Sequence, residues 1–207
     1  MADESGSQST AAAMAVFGEE QAALDEAGVP AGVLPVGSPL PDGDLLDAVG
    51  NATSARQAMG GRPAVIVFYR GAWCPFCNLA LRTYQEQVAG ELERRGVALI
   101  AISPQKPDGS LSMRDKHELT FAVLSDPGNQ IARGLGITTA PAPDVRAAQQ
   151  QLGLDVAPSN ADGTATIPMP TVVVVDRDGV IRWIDVHPNY ARRTEPEQIL
   201  RAVAEHL

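Results

Sequence analysis

The apolar positions of this chain fall into two patterns, continuous runs typical of buried strands and one-sided repeats typical of helices. Continuous runs predict three strands, at Ala64–Tyr69, Val97–Ile102 and Thr171–Asp176. Between the first two runs, from about Pro75 to Arg95, apolar residues recur on one helical face at spacings of four, three, four and four. A strand, a helix and a second strand in this order predict a parallel β-α-β unit with a right-handed crossover.

Shorter elements are predicted on both sides of this unit. Helix formers over Ala11–Ala27, closed by Gly28-Val29-Pro30, predict an N-terminal helix that follows a disordered tail of residues 1–7. The other short patterns predict a small helix near 53–59, a helix over 110–119, a strand at 121–124, a helix near 129–135 and a helical patch at 144–152.

The C-terminal part of the chain predicts a hairpin and a helix. The strand over 171–176 turns through Arg177-Asp178-Gly179 into a second strand, Val180–Ile184, and the last helix covers Pro196–His206. Before the hairpin lies a Pro/Ala-rich excursion, residues 138–168. We therefore expect an N-terminal tail and helix, residues 1–32, followed by one domain, residues 33–207.

Composition restricts the classes of partner. With 207 residues, of which 44% are hydrophobic, the chain can form one substantial core. A net charge of −9 argues against nucleic acid and anionic membranes as partners. No apolar run approaches the roughly 18–20 residues of a membrane span, and the acidic N-terminus lacks the basic segment of a signal peptide. We expect a cytoplasmic protein with no nucleic-acid or membrane partner.

Both cysteines of the chain, Cys74 and Cys77, lie at the junction between the first strand and its helix. One helical turn brings their Cα atoms to roughly 5–5.5 Å, a distance that a disulfide can bridge. The helix N-terminus also stabilises a thiolate. A zinc site needs four ligands, and only three scattered histidines, each expected at the surface, could add to the cysteines. The pair therefore predicts thiol-redox chemistry without a metal or cofactor.

The helix start suggests different roles for the two thiols. Cys74 fits the N-cap, with Pro75 at the first helical position, so its sulfur is expected to face free N–H groups and solvent. Cys77 lies one turn further in, on the apolar face. We therefore expect Cys74 to be the attacking thiolate and Cys77 the resolving thiol. Arg70, at the strand end, either lowers a thiolate pKa or is a solvated charge. Trp73 is expected to lie half in the core and half over the thiol.

Five segments in order resemble the peroxiredoxin superfamily, the alkyl hydroperoxide reductase and thiol-specific antioxidant proteins. They are Leu34–Asp42, Val65–Asn78, Ala101–Pro104, Phe121–Pro127 and Pro170–Gly179. The resemblance covers about residues 33–207. It implies an α/β thioredoxin-like fold, in which helices flank a central mixed β-sheet, with an added N-terminal helix and an insertion before the C-terminal hairpin.

The active-site segment departs from the peroxiredoxin pattern toward thioredoxin. In that pattern Cys77 takes the peroxidatic position, Cys74 replaces a hydroxyl residue, and the family's catalytic arginine falls at Met169. Trp73-Cys74-Pro75-Phe76-Cys77 instead resembles the thioredoxin WCxxC motif. Pro170 lies where thioredoxin-fold proteins keep a cis-proline beside the dithiol. The peroxiredoxin alignment would exchange the roles of Cys74 and Cys77, and both assignments stay open at this point.

The resemblance implies a thiol peroxidase. It would reduce hydrogen peroxide or an organic hydroperoxide and form a Cys74–Cys77 disulfide, which a thioredoxin- or glutaredoxin-type partner reduces again. One alternative is a dithiol–disulfide oxidoreductase that acts on disulfides, and another is a redox-sensing module that uses the 138–168 excursion. Family members often pair, so a homodimer is compatible with the resemblance. The segment His187–Pro196 resembles one that is common in this branch of the superfamily. Its Tyr190 and Arg193 either reach the active site or only form the loop that leads into the last helix, and we favour the loop.

Overall fold

The computed structural model describes the backbone of residues 2–207 and the side chains of residues 10–207. Its helices are α1 (Ala2–Ala27), α2 (Ala55–Met59), α3 (Pro75–Tyr84), α4 (Gly90–Arg94), α5 (Pro107–Lys116), α6 (Gln130–Leu135), α7 (Pro143–Gln151) and α8 (Pro196–His206). Its strands are β1 (Leu45–Leu46), β2 (Ala52–Thr53), β3 (Ala64–Phe68), β4 (Ala98–Ser103), β5 (Ala122–Ser125), β6 (Thr138–Thr139), β7 (Ile167–Pro168), β8 (Thr171–Val175) and β9 (Ile181–Val186).

A mixed seven-stranded sheet forms the centre, with strand order β2-β1-β5-β4-β3-β8-β9. β3 pairs in parallel with β4 and antiparallel with β8, so the strand that precedes the two cysteines lies in the middle of the sheet. The predicted β-α-β unit, the C-terminal hairpin and the α/β thioredoxin-like fold are confirmed.

Alternate residues of β3 supply two cores, one on each face of the sheet. Val65 and Val67 pack with the apolar face of α3 and with α8, whereas Ile66 and Phe68 pack with α2 and α6. Because both faces are covered, the strand is apolar at every position, as its sequence predicted.

The helix predicted over 75–95 is continuous but not uniform. α3 passes into a π-helical turn, Gln85–Ala89, before α4 completes it, and Gly96 ends it with a positive φ of 69°. The helix predicted over 110–119 is α5, which begins three residues earlier because Pro107 occupies the first turn, where a missing N–H costs nothing.

The N-terminal helix packs on the excursion that precedes the hairpin. α1 begins at Ala2, earlier than the predicted Ala11, and Met1 of the predicted disordered tail lies outside the described residues. The Glu20 carboxylate accepts a hydrogen bond from the Ala142 N–H at 3.3 Å, at the start of α7. Gln21 accepts from the Tyr190 N–H at 3.1 Å, so α1 also holds the loop before α8. The division of the chain at residue 32 stays a prediction.

No helix within the described residues is both long and apolar enough to cross a membrane.

Candidate active site

The chain leaves β3 through a tight loop that sets the start of α3. Gly71 has a φ of 149°, in the region that favours glycine, and a Cβ at this position would collide with the indole of Trp73. The carboxamide of Gln105 also lies next to the glycine and accepts a hydrogen bond from the Ala72 N–H at 2.8 Å. The same side chain donates to the Tyr69 hydroxyl at 3.0 Å. The loop is therefore fixed by buried contacts.

Asn78 ties the other end of this loop to the helix. Its amide group donates to the carbonyls of Ala72, at 2.7 Å, and Cys74, at 2.8 Å, while its oxygen lies 2.8 Å from His117 Nε2. Burial lowers the pKa of His117, which favours the neutral ring. His117 thus has a structural contact and is not the simple surface residue that the sequence suggested.

We expect Gly71→Ala to destabilise the fold. The unfavourable φ alone costs about 1–3 kcal/mol for an L-residue, and the collision with Trp73 adds to it. Urea unfolding followed by tryptophan fluorescence measures the change, and Gly90→Ala, in open space on a helix, is the matched control. A Gly71→Ala protein as stable as the unchanged chain would contradict this account of the loop.

Both sulfurs are buried. Cys74 is 1% exposed and Cys77 is fully buried, and each is a free thiol in this structure. The N-cap position predicted for Cys74 is confirmed, with Pro75 in the first turn of α3. The expectation that its sulfur faces open solvent is wrong, because the loop before α8 folds over the helix start and brings a guanidinium onto both sulfurs.

That guanidinium belongs to Arg193. Its Nη2 donates to the Cys77 sulfur at 3.0 Å and to the Cys74 sulfur at 3.6 Å. Nη1 donates to the carbonyls of Tyr190 and Arg192, at 2.6 Å and 2.5 Å, which fixes the plane of the group. The next residue is also anchored, since its carbonyl accepts from the Tyr84 hydroxyl at 2.6 Å. Arg193 therefore lies in the loop that leads into α8 and also reaches both sulfurs, so the two readings of its sequence hold together.

The arrangement places negative charge on Cys74. The Cys77 thiol donates to the Cys74 sulfur, and together with the Arg70 and Arg193 cations this lowers the Cys74 pKa from 9.0 to about 6. Burial and this donation raise the pKa of Cys77 well above its ordinary value. Although Arg193 lies closer to Cys77, the deeper burial of that sulfur keeps it protonated. These shifts favour Cys74 over Cys77 as the thiolate.

Arg70 lies between two aromatic rings beside the thiols. Its guanidinium carbon is 5.0 Å from the centre of the Trp73 ring and 5.1 Å from that of Tyr190, which suits cation–π contacts. Phe76 extends this cluster, with its ring centre 6.1 Å from that of Tyr190. Trp73 and Phe76 stay 36% and 42% exposed, so the cluster forms an aromatic surface next to the dithiol.

Pro170 is buried beside Cys77, and both line a small cavity, but the predicted cis bond is wrong. All peptide bonds of the described residues are trans, including that of Met169–Pro170. The Met169 N–H donates to the Ile137 carbonyl, and the Pro170 carbonyl accepts from the His187 N–H, so both residues of the link between β7 and β8 are held by backbone hydrogen bonds. The trans form is the ordinary state of an X–Pro bond and needs no further contact.

His187 forms a polar cluster with Asp185 and Thr194, the residue that follows Arg193. Its Nε2 lies 3.0 Å from Asp185, whose carboxylate also accepts from the Thr194 hydroxyl at 2.9 Å. The ring's contact with Asp185 lowers the pKa of that carboxyl. The group fixes the loop that carries Arg193, and so this histidine too is not a simple surface residue.

A comparison with known protein families identifies the family of this chain. Residues 36–184 match the model of the AhpC/TSA family. The chain belongs to the AhpC/TSA family. A chloroplastic peroxiredoxin Q of Oryza sativa subsp. japonica is 25% identical over 162 residues, which are 78% of this chain and 61% of that protein. The chain therefore matches about six tenths of that relative's length.

Solved structures share the fold at low sequence identity. A crystal structure of peroxidoxin BcpB from Mycobacterium tuberculosis has a TM-score of 0.64 and 16% identity, over 83% of this chain and 95% of the other. Reduced Prx3 from Vibrio vulnificus, solved in complex with hydrogen peroxide, has a TM-score of 0.66 and 18% identity, over 83% and 99%.

This AhpC/TSA protein completes its site with residues from outside the matched segment. The match ends at residue 184, yet Tyr190 lies against Arg70 of the active-site loop and Arg193 contacts both sulfurs. Met169, where the family's arginine is expected, is buried and apolar. The cation beside the sulfurs is instead that of Arg193, from the loop before α8.

Proposed function

We propose that this protein is a thiol peroxidase that reduces hydrogen peroxide or an organic hydroperoxide through Cys74 and Cys77. The observation that carries the proposal is the guanidinium of Arg193, which touches both sulfurs. One cation there stabilises the attacking thiolate and the negative oxygen that leaves as the peroxide bond breaks. Membership of the AhpC/TSA family supports the same chemistry.

The reaction balances with the two thiols as reductant. The Cys74 thiolate attacks one peroxide oxygen, the O–O bond breaks, and the alkoxide or hydroxide leaves as an alcohol or water after taking a proton. Cys74 is now a sulfenic acid. The Cys77 thiol, one turn away, loses its proton and attacks the Cys74 sulfur, which forms the disulfide and releases water. Two thiols and one hydroperoxide thus give one disulfide, one alcohol or water, and one water.

A thioredoxin- or glutaredoxin-type reductant fits the surface beside the dithiol. Phe76 and Leu79 are 42% and 66% exposed on the first turns of α3. They border a groove of about 530 Å³ between this helix and the loop that carries Arg193. A dithiol partner that docks on these apolar side chains would lie next to the helix start that carries the disulfide, and would reach the sulfurs once the Arg193 loop moves aside. Cytoplasmic location and a homodimer stay predictions.

The second candidate function is exchange with disulfides. The lowered pKa of the first cysteine of a CxxC pair, and the buried second thiol, are typical of dithiol–disulfide oxidoreductases. One test compares the same reduced protein in two assays, oxidation by hydrogen peroxide and reduction of insulin disulfides. Rapid peroxide oxidation with slow insulin reduction supports the peroxidase. The reverse pattern would replace it with the disulfide function.

The rate at which peroxide oxidises the protein should fall as the pH is lowered, with a midpoint near pH 6. The thiolate is the nucleophile, so the lowered Cys74 pKa preserves reactivity down to about pH 6 and loses roughly tenfold per unit below it. The rate of peroxide oxidation against pH measures this midpoint. In Cys77→Ala, which lacks the donating thiol, the midpoint should move upward. A midpoint near the ordinary thiol value of 9.0 in the unchanged protein would contradict the assignment.

A further inference from the structure

The N-terminal helix holds the loop before α8 at two neighbouring points. Gln21 and Asp25 lie one turn apart on α1 and share a face of it. The Gln21 carboxamide accepts from the Tyr190 N–H at 3.1 Å and donates to the Pro188 carbonyl at 3.5 Å. The Asp25 carboxylate accepts from the side-chain amide of Asn189 at 3.0 Å. One face of α1 therefore binds three consecutive residues of the loop.

Asp25 also determines which end of the Gln21 carboxamide faces the Tyr190 N–H. A carboxylate offers only acceptors, so the NH₂ group of Gln21, which donates to Asp25 at 3.1 Å, must lie on that side. The carboxamide oxygen is then left to accept from Tyr190. The acceptor for this backbone N–H is thus set by a second side chain of the same helix.

The two sides of the loop are anchored by different parts of the protein. Among residues 10–207, the hydrogen bonds that join residues 188–190 to another helix or strand all come from α1. On the other side of Arg193 the chain is tied to the core, since the Thr194 carbonyl accepts from the buried Tyr84 hydroxyl at 2.6 Å. α1 therefore anchors the side of the loop that the core does not.

The backbone of Tyr190 connects α1 to the guanidinium group. Its N–H donates to Gln21, and its carbonyl accepts from Arg193 Nη1 at 2.6 Å. Nη2 of the same group donates to the Cys77 sulfur at 3.0 Å. Because a guanidinium group is planar and rigid, a carbonyl that holds Nη1 also determines where Nη2 lies. Displacement of the Tyr190 backbone would therefore move the cation away from the sulfurs.

We propose that Gln21 is a positioning residue for Arg193, because it holds the Tyr190 backbone where the guanidinium contacts both sulfurs. Gln21 touches neither sulfur and acts through the loop alone. It lies before residue 36, where the family match begins, so this support comes from outside the matched segment. The inference rests on the proposed peroxidase function and adds a residue to the site that performs it.

The test uses the full reduced chain with Gln21→Met, which keeps the side-chain length and the helix propensity but removes the carboxamide. We expect oxidation by hydrogen peroxide to slow about fivefold, the effect of one lost hydrogen bond. The pKa of Cys74 should rise, because Arg193 is one of the cations that lower it. Gln21→Ala, another strong helix former, should give the same two changes. Gln151→Met, at the exposed end of α7, is the matched control and should change neither quantity.

A double-mutant cycle shows whether Gln21 acts through Arg193. In the Arg193→Met protein, Gln21→Met should change the oxidation rate by less than about twofold, because the group that it positions is gone. An equal loss in both backgrounds would overturn the proposal, since Gln21 would then act by another route. A purely structural role predicts a lower stability in urea with the rate and the Cys74 pKa unchanged, and that result would overturn the proposal too.

The pKa of Cys74 is measured from thiolate absorbance without peroxide, so it separates this proposal from the peroxidase function. A free-thiol oxidation rate in the unchanged protein would overturn the peroxidase, while a raised pKa in Gln21→Met would still support the positioning role. Fast oxidation that Gln21→Met does not alter would overturn the positioning role and leave the peroxidase in place.

Discussion

Replacement of Cys74 by serine should lower peroxide reduction by at least about a thousandfold, because a serine hydroxyl is not ionised at neutral pH and does not replace the nucleophile. Cys77→Ser should behave differently, since the thiolate position is intact. It should consume one equivalent of peroxide and stop at a sulfenic acid on Cys74, which lacks its resolving partner. A sulfenate-specific probe followed by peptide mass analysis locates the modified sulfur.

The opposite labelling pattern would reverse the roles. The peroxiredoxin alignment puts Cys77 at the peroxidatic position, and Arg193 is 3.0 Å from that sulfur but 3.6 Å from Cys74. If the probe labels Cys74→Ser and leaves Cys77→Ser unlabelled, Cys77 attacks first. The Cys74→Ser/Cys77→Ser double variant is the control for labelling elsewhere in the chain.

Arg193→Met should reduce the oxidation rate by about a hundredfold, the usual effect of removing one charge-stabilising donor from an active site. It should also raise the pKa of Cys74, since one of the cations that lower this pKa is lost. Arg193→Lys keeps the positive charge but lacks the planar group that donates to the Tyr190 and Arg192 carbonyls. It should therefore have an oxidation rate between those of Arg193→Met and the unchanged protein. Stopped-flow oxidation and thiolate absorbance against pH give both quantities.

The neighbouring arginine separates a local effect from a general one. Arg192 is exposed on the same loop, and Arg192→Met removes the same charge next to the site. We expect it to change the oxidation rate less than Arg193→Met by at least about tenfold, because exposed charges are screened by solvent. Equal effects of the two substitutions would show that Arg193 acts only through the overall electrostatic field of the protein and not through its contact with the sulfurs.

The dithiol was predictable because every signal for it is local. A buried strand, a CxxC pair and a proline at the first helical position lie within one short segment. Together they predict where the strand ends, where the helix begins and how close the two cysteines lie. The same holds for the hairpin and for α8, which begins at Pro196 as its sequence indicated.

The rest of the site depends on contacts between distant parts of the chain. Arg193 lies 116 positions after Cys77, and its local sequence fits a helix-entry loop as well as it fits a residue that reaches the active site. No sequence pattern pointed to Gln105, although its carboxamide holds the active-site loop at Ala72, 33 positions away. The cis-proline prediction failed for a different reason: it came from the resemblance to thioredoxin-fold proteins, whereas the bond has the trans form that is ordinary for X–Pro.

The most direct test is the rate at which hydrogen peroxide oxidises the fully reduced protein, with the intact mass of the product. We predict a rate orders of magnitude above that of free cysteine and a product lighter by two hydrogens, the mass of a Cys74–Cys77 disulfide. A rate equal to that of an ordinary thiol, or a product that gains oxygen without forming a disulfide, would contradict the proposed peroxidase.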